Sequence, residues 1–249
     1  MNVLLVGLGG NGSKLLVSLA RAALALRAMG RTPPHVVAVD PDRVSEANLA
    51  RQAFAPQDVG RPKAEVLVGK VNLLYGLGWE WRTRPFQPED LRGAEVVVSA
   101  LDSRRARRQV AEALEKRKVE LWWVDLGNGD RYGQVLAGDG TKEAPWPHQR
   151  LPELIGEEED EGPSCSVLEA LLRQDLLVND MAAVWAAEIL WHLLRGKRPP
   201  YLGVFYDLDR GKTTPVLWRE ARTTEGLLAM GAEVEGAGGR ESYPGSGGE

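Results

Sequence analysis

Residues Asp40 to Gln52 read DPDRVSEANLARQ, and RPK follows at Arg61 to Lys63. That short span holds two carboxylates, Asp40 and Asp42, and two amides, Asn48 and Gln52. It also holds a guanidinium, Arg51, and an ammonium, Lys63. The preceding run, HVVAV, has the pattern of a buried strand. A carboxylate at the end of such a strand can accept the hydroxyls of a ribose. Asp40 suits that role; its rival role is to turn the chain ahead of Pro41. Cations soon afterwards act as clamps on phosphate, most of all where a phosphate bond breaks and charge concentrates. A nicotinamide dinucleotide leaves its pyrophosphate largely to a helix N-terminus. Asn48, Arg51 and Lys63 together therefore suit a triphosphate better. Arg51 or Lys63 taken singly would pass as an ordinary surface cation. Three roles stand open for Asp42: orienting Arg51, joining a metal site, or shaping the turn with Pro41.

A second constellation lies upstream. Gly7, Gly9 and Gly12 fall at G-x-G-x-x-G spacing in GLGGNGS, with Gly10 between them and Ser13 after them. One glycine permits the tight turn, one lets a phosphate approach the backbone, and one lets helix and strand pack closely. The N–H groups that open the helix add partial positive charge for an anion, and Ser13 adds a hydroxyl. The loop by itself does not separate NAD, FAD and ATP. Asp40 comes later than the ~20 residues of the dinucleotide fingerprint, and a long first helix accounts for the delay.

These groups need strands and helices to hold them. Apolar runs predict strands at Val3–Val6, His35–Val39, Trp79–Thr83, Ala94–Ala100, Glu120–Asp125 and Tyr132–Ala137. Helical periodicity covers Ser13–Met29, Ala64–Leu74, Ser103–Lys118 and Val167–Leu194, the last with a break near Val178–Asn179. Tyr201–Asp207 and Thr214–Trp218 can pair as a hairpin across DLDRGKT. Alternating strands and helices predict an α/β fold. The expectation is a Rossmann-like, doubly wound, mostly parallel sheet with helices on both faces and a C-terminal hairpin. Ligands of such sheets sit beyond the carboxyl ends of the strands. Gly7, Asp40 and Asp102 should therefore line one crevice. Gly138–Pro163, with its prolines and its run EEEDEG, reads as a long solvated loop. The glycine-rich residues 224–249 read as a disordered tail.

Composition narrows the classes. The chain has 249 residues, a formal charge of −4 and one cysteine, Cys165. That balance gives no reason to expect nucleic acid or a membrane as partner. A lone cysteine rules out an internal disulfide framework and a multi-cysteine zinc knuckle. The three histidines, His35, His148 and His192, are scattered and form no ligand spacing. The opening VLLVGLGGNG reads as a strand and loop and not as a signal peptide, so a soluble cytoplasmic protein is expected.

Taken together, GLGGNGS, DPDRVSEANLARQ and RPK resemble the ThiF/MoeB/ubiquitin-activating (E1-like) superfamily. The likeness continues through SALD and GNGDRYGQV, covers residues 1–137 well, and runs more loosely through 164–196. PSCSVLEALLRQDLLVN is most similar to ThiF proteins of the PRTRC gene set. The resemblance implies a ThiF-like adenylating domain over 1–223, with a crossover-type loop at 138–165. It implies Mg2+-dependent use of ATP to adenylate the C-terminal carboxylate of a small ubiquitin-like protein, and a homodimer. By position, Asp40 would hold the ribose, and Asn48, Arg51 and Lys63 the phosphates. Asp102 would bind Mg2+, with the cap of the following helix as its rival role. Arg107 falls where relatives keep an arginine. Cys165 would receive the acyl group as a thioester, or is a small buried residue. A thiol near a helix N-terminus gains thiolate character; free cysteine is also commonly buried.

The chain departs from the family in two respects. It lacks the two C-x-x-C pairs of zinc-bearing relatives, so no zinc is expected. Its first strand is expected from the second residue on, without the preceding helices that carry an arginine in relatives. Two readings from other classes compete: an NAD(P)-dependent oxidoreductase, and a nucleotide-binding scaffold without catalysis. Adenylation of a tRNA base is a variant within the superfamily, disfavoured by the negative charge.

Overall fold

The computed structural model describes residues 1–49, 52–117, 121–157 and 175–218. Strand β1 (Asn2–Val6) shows why the sheet has helices on both sides. Val3 and Leu5 point into one apolar cluster and Leu4 and Val6 into another, the alternation a pleated strand imposes. Strands β2 (His35–Val39), β3 (Glu80–Arg82), β4 (Val96–Ser99) and β5 (Trp122–Asn128) join it in parallel. Three antiparallel strands complete the sheet: β6 (Tyr132–Gly138), β7 (Gly203–Asp207) and β8 (Lys212–Pro215). The order is β3-β2-β1-β4-β5-β6-β7-β8. The expected doubly wound, mostly parallel sheet is the one observed, and the C-terminal hairpin is β7–β8.

Helices α1 (Gly10–Ala28) and α2 (Lys63–Tyr75) cover one face, together with the helix Val178–Leu194, here α5. In α1, Leu15, Leu16, Leu19, Ala23 and Leu26 recur at helical spacing and are buried. Helix α3 (Arg104–Glu115) covers the other face with Val110, Ala111 and Leu114. Helix α1 begins inside the glycine loop, earlier than the expected Ser13. Glycine lowers helix propensity, but packing of the loop against β1 and β4 decides the boundary here.

The segment after β6 differs from the expected solvated loop. Residues Pro147–Arg150 form a short helix, α4, and Pro152–Ile155 a 3-10 turn. Ala144 and Leu154 enter an apolar cluster with Leu136, Leu202, Phe205 and Val216. The rest of the expected loop and the predicted tail 224–249 lie outside the described residues. No described helix is long and apolar enough to cross a membrane.

The ribose-side end of the sheet is pinned by one buried carboxylate. Asp90 accepts from Arg84 at 2.6 and 2.8 Å, from the Gln87 N–H at 2.9 Å, and from Arg82. Burial alone would push its carboxyl up; the Arg84 bonds, the Gln87 N–H and Arg82 outweigh it and hold the group below the usual carboxylate range. A depressed carboxylate contributes stability that is present above about pH 4 and lost as pH falls through its folded pKa. Both arginines are partly exposed, which screens the pairs. Asp90→Asn should lower unfolding free energy at pH 7 by about 1–3 kcal/mol. In urea titrations the gap to wild type should close below about pH 3.

Candidate functional site

The glycine loop is built on backbone approach. Gly7 has φ +92°, a left-handed conformation that favours glycine, and a Cβ there would overlap the Ala100 carbonyl. A Cβ at Gly12 would overlap the carbonyl of Gly7. The loop is therefore pressed against the ends of β1 and β4 at two points. Gly9 is different: a Cβ there meets nothing within 4 Å. Gly9 is also the N-cap of α1 and makes no side-chain cap bond, and no acidic residue stands in the first turn. The leading N–H groups of a long helix are thus presented at an open surface, an arrangement that suits an anion.

Asp40 locks the second loop to the first. Its Oδ2 accepts from the Leu8 N–H at 2.6 Å, and its Oδ1 accepts from the Asp42 N–H at 2.8 Å. Burial pushes its carboxyl above the ordinary value, offset in part by Lys63 and by those two N–H groups. The ionised form therefore costs the fold stability above that pKa, and the cost is relieved as pH falls. Each oxygen retains a second lone pair for a further donor, and two vicinal hydroxyls are such donors.

Lys63 opens α2 and is buried to 8% side-chain exposure. Its ammonium bonds Asp42 Oδ2 at 3.0 Å, and its N–H bonds the Asp42 carbonyl at 2.9 Å. Asp42 therefore positions Lys63, a role outside the three open at the sequence level. Asn48 closes a 3-10 turn and accepts the Ser45 N–H at 2.9 Å through Oδ1. Gln52 follows with its Oε1 buried and without a partner among the described residues. Ser13 is fully buried; its hydroxyl accepts the Ala53 N–H at 3.1 Å and donates to the Gly10 carbonyl at 3.3 Å. It fastens the end of the acidic loop to α1.

Asp102 follows β4 and is exposed. Its rival role as helix cap falls to its neighbour, because Ser103 Oγ accepts the Ala106 N–H at 3.2 Å. Arg107 is buried and bonds Asp125 Oδ1 at 3.1 Å and the Leu126 carbonyl at 3.0 Å. Asp125 also accepts from Ser99 Oγ, which in turn accepts from Trp123 Nε1. This chain of bonds braces the ends of β4 and β5 against α3. Arg51 and Cys165 lie outside the described residues. Among the described residues no cluster of three or more His, Cys, Asp or Glu could hold a metal ion.

The structure thus brings Gly7, Gly9, Asp40, Asp42 and Lys63 together at the carboxyl ends of β1 and β2. Sequence reading missed Asn11, Asn128 and Asn179, which border the same loop. The only trace was Asn11 within GLGGNGS; the other two are placed by β5 and α5, remote in the chain.

A Rossmann-like sheet with an open helix N-terminus beside a strand-end carboxylate defines a nucleotide-binding α/β protein. The comparisons make this more specific. The chain belongs to the ThiF family, whose model matches residues 1–226. Ubiquitin-like modifier-activating enzyme 7 of Mus musculus is 39% identical over 118 residues, 43% of this chain and 12% of that protein. Its Homo sapiens counterpart is 38% identical over 121 residues, 43% and 11%. In fold the chain resembles crystallised PaaA, with a TM-score of 0.63 at 14% identity over 87% of this chain and 63% of that one. It also resembles E. coli MccB crystallised with ATP, with a TM-score of 0.58 at 16% identity over the same shares. The chain spans about an eighth of the curated relatives' length and under two thirds of these structures.

Gly9 and Gly12 should separate ligand binding from folding. Gly9→Ala has room and an ordinary φ, so its unfolding free energy should stay within about 1 kcal/mol of wild type. Its methyl would stand at the helix opening and weaken nucleotide binding in calorimetry. Gly12→Ala should lose about 3 kcal/mol or more in thermal or urea unfolding.

Proposed function

We propose that this chain uses Mg2+ and ATP to adenylate the C-terminal carboxylate of a small ubiquitin-like protein. The observation that carries it is the open α1 N-terminus beside Asp40 and the buried, aspartate-held Lys63. Membership of the ThiF family supports it. So does the likeness to MccB, which has been crystallised with ATP and with the peptide or protein MccA.

In this reading Asp40 accepts the ribose hydroxyls, which favours its ionised form and offsets the cost of its burial. The α1 N-terminus between Gly9 and Gly12 takes phosphate oxygens. Lys63, set by Asp42, faces the phosphate region with Asn48 and Arg51. A carboxylate oxygen of the substrate attacks the α-phosphorus, the bond to the β-phosphate oxygen breaks, and pyrophosphate leaves with the electron pair. The product is an acyl adenylate. Charge grows on the phosphate oxygens during this exchange, and fixed cations stabilise it more than they stabilise bound ATP. Mg2+ supplies further charge neutralisation, and Asp102 would hold it; one carboxylate plus phosphate oxygens and water is a set that Mg2+ accepts. Thioester transfer to Cys165, a homodimer, a cytoplasmic setting and kinship with the PRTRC proteins belong to the same proposal.

Mg2+-ATP should raise the melting temperature more than NADH does; stabilisation by NADH alone would sink the reading in favour of an oxidoreductase. ATP–pyrophosphate exchange should appear with a ubiquitin-like protein encoded in the same genome. Lys63→Met should reduce it about 10²–10³-fold. No exchange with any candidate, and no change on Asp102→Ala, would leave a binding scaffold. Cys165→Ala should leave exchange intact and abolish any DTT-sensitive conjugate.

A further inference from the structure

Helices α1 and α5 begin side by side. The Asn179 side chain, in the first turn of α5, occupies the space a Cβ at Gly10 would need, and Lys14 of α1 pairs with Asp180 of α5. Two long helices thus present their N-termini at one place, where partial positive charge adds. Two buried amides stand there with unmet hydrogen bonds. Asn11 is 8% exposed and Asn179 2%. Asn11 Oδ1 and Asn179 Nδ2 have no partner among the described residues.

The orientation of Asn11 follows from its neighbour. Asn128 Nδ2 donates to the Gly129 carbonyl at 3.2 Å, which leaves Asn128 Oδ1 to accept Asn11 Nδ2 at 2.7 Å. Asn11 Oδ1 is therefore an acceptor in need of a donor, and Asn179 Nδ2 a donor in need of an acceptor. A buried polar atom left unmatched is costly, so the pair describes its ligand. Phosphate offers oxygens only and could satisfy Asn179 alone. The N–H groups of adenine lie at the far end of a nucleotide whose ribose is on Asp40. The last residue of a polypeptide offers both in one unit: a peptide N–H and, one Cα away, a carboxylate oxygen.

We propose that Asn11 and Asn179 form the seat for the substrate's C-terminal residue, Asn11 Oδ1 accepting its peptide N–H and Asn179 Nδ2 donating to its acyl oxygen. The seat rests on the adenylation reading above and names what that site recognises. It holds the carboxylate at the opening of α1, beside the position of the α-phosphate. Requiring an N–H adjacent to the acyl group selects polypeptide termini over simple carboxylic acids, because an acid without that N–H leaves Asn11 unmatched.

Two probes test this by calorimetry on the full chain: N-acetylglycyl-sulfamoyladenosine, which mimics an acyl adenylate with a peptide N–H, and sulfamoyladenosine, which lacks the acyl group. Asn11→Ala and Asn179→Ala should each weaken the first by about tenfold, the loss of one good hydrogen bond, and leave the second within about twofold. Asn179→Asp keeps the side-chain shape and places an acid in a first helical turn, where it is well tolerated. It should fold normally and still lose the acylated probe. Equal losses on both probes would assign the amides to the nucleotide or to loop shape and overturn the seat. No loss on either would do the same. A wild-type chain that bound sulfamoyladenosine but gained nothing from the acyl group would overturn the seat alone. A folded wild-type chain that bound neither probe would overturn the adenylation reading and the seat with it.

Discussion

One buried carboxylate ties the two loops of the site together. Asp40 sits at the end of β2, yet it takes the Leu8 N–H from the loop after β1 and the Asp42 N–H from its own. That shared grip sets the distance between the glycine turn and the acidic loop. Asp42, once placed, holds Lys63 through both side chain and backbone. Remove the grip and the helix opening, the ribose position and the buried cation lose their common frame. The cost of burying Asp40 is visible in its raised pKa. Such strain persists only where the surrounding structure over-determines it, and it concentrates at functional sites.

How legible was this in the sequence? The parallel half of the sheet was plain, because a strand buried on both faces must be apolar throughout, and VLLV, HVVAV and VVVS are. Gly7 and Gly12 were legible for an equally physical reason: only glycine can stand where backbone meets backbone. The stretch after β6 was not legible as packed structure. Its helix α4 carries His148 and Arg150, polar letters that suggest solvent, yet both are buried, and no guanidinium nitrogen of Arg150 has a partner among the described residues. Burial pulls that guanidinium down to about 10. No pattern of apolar periodicity announces a buried arginine, so tertiary packing overrode the local signal.

The site shows the same division. Asp40 and Lys63 were legible because charge and spacing are written in the chain. What Asp42 does was not, since its partner stands 21 positions later at the start of another helix. Asn128 and Asn179 were illegible for a stronger reason. They reach the glycine loop only because β5 turns back as β6 and because α5 packs beside α1. Tyr206 of β7 fixes the start of α5 by donating to the Val178 carbonyl at 2.8 Å. The antiparallel half of the sheet, which looks like an appendage to a nucleotide fold, is thus what brings the third side of the crevice into place.

That arrangement also explains how a chain of net charge −4 can offer a site for anions. Net charge governs long-range approach, and it is screened within about 10 Å at 0.1 M salt. Inside the crevice, fixed dipoles dominate: the N-terminus of α1, the N-terminus of α5, and the amide hydrogens between them. The formal charges nearby are largely paired off, Lys14 with Asp180 and Lys63 with Asp42. A site built from backbone N–H groups and amides needs little reorganisation when charge moves from a carboxylate to a departing phosphate, whereas flexible surface cations would have to be gathered at each turnover. The glycines, which leave that backbone uncovered, are therefore as much a part of the chemistry as the charged residues that first drew attention to the loop.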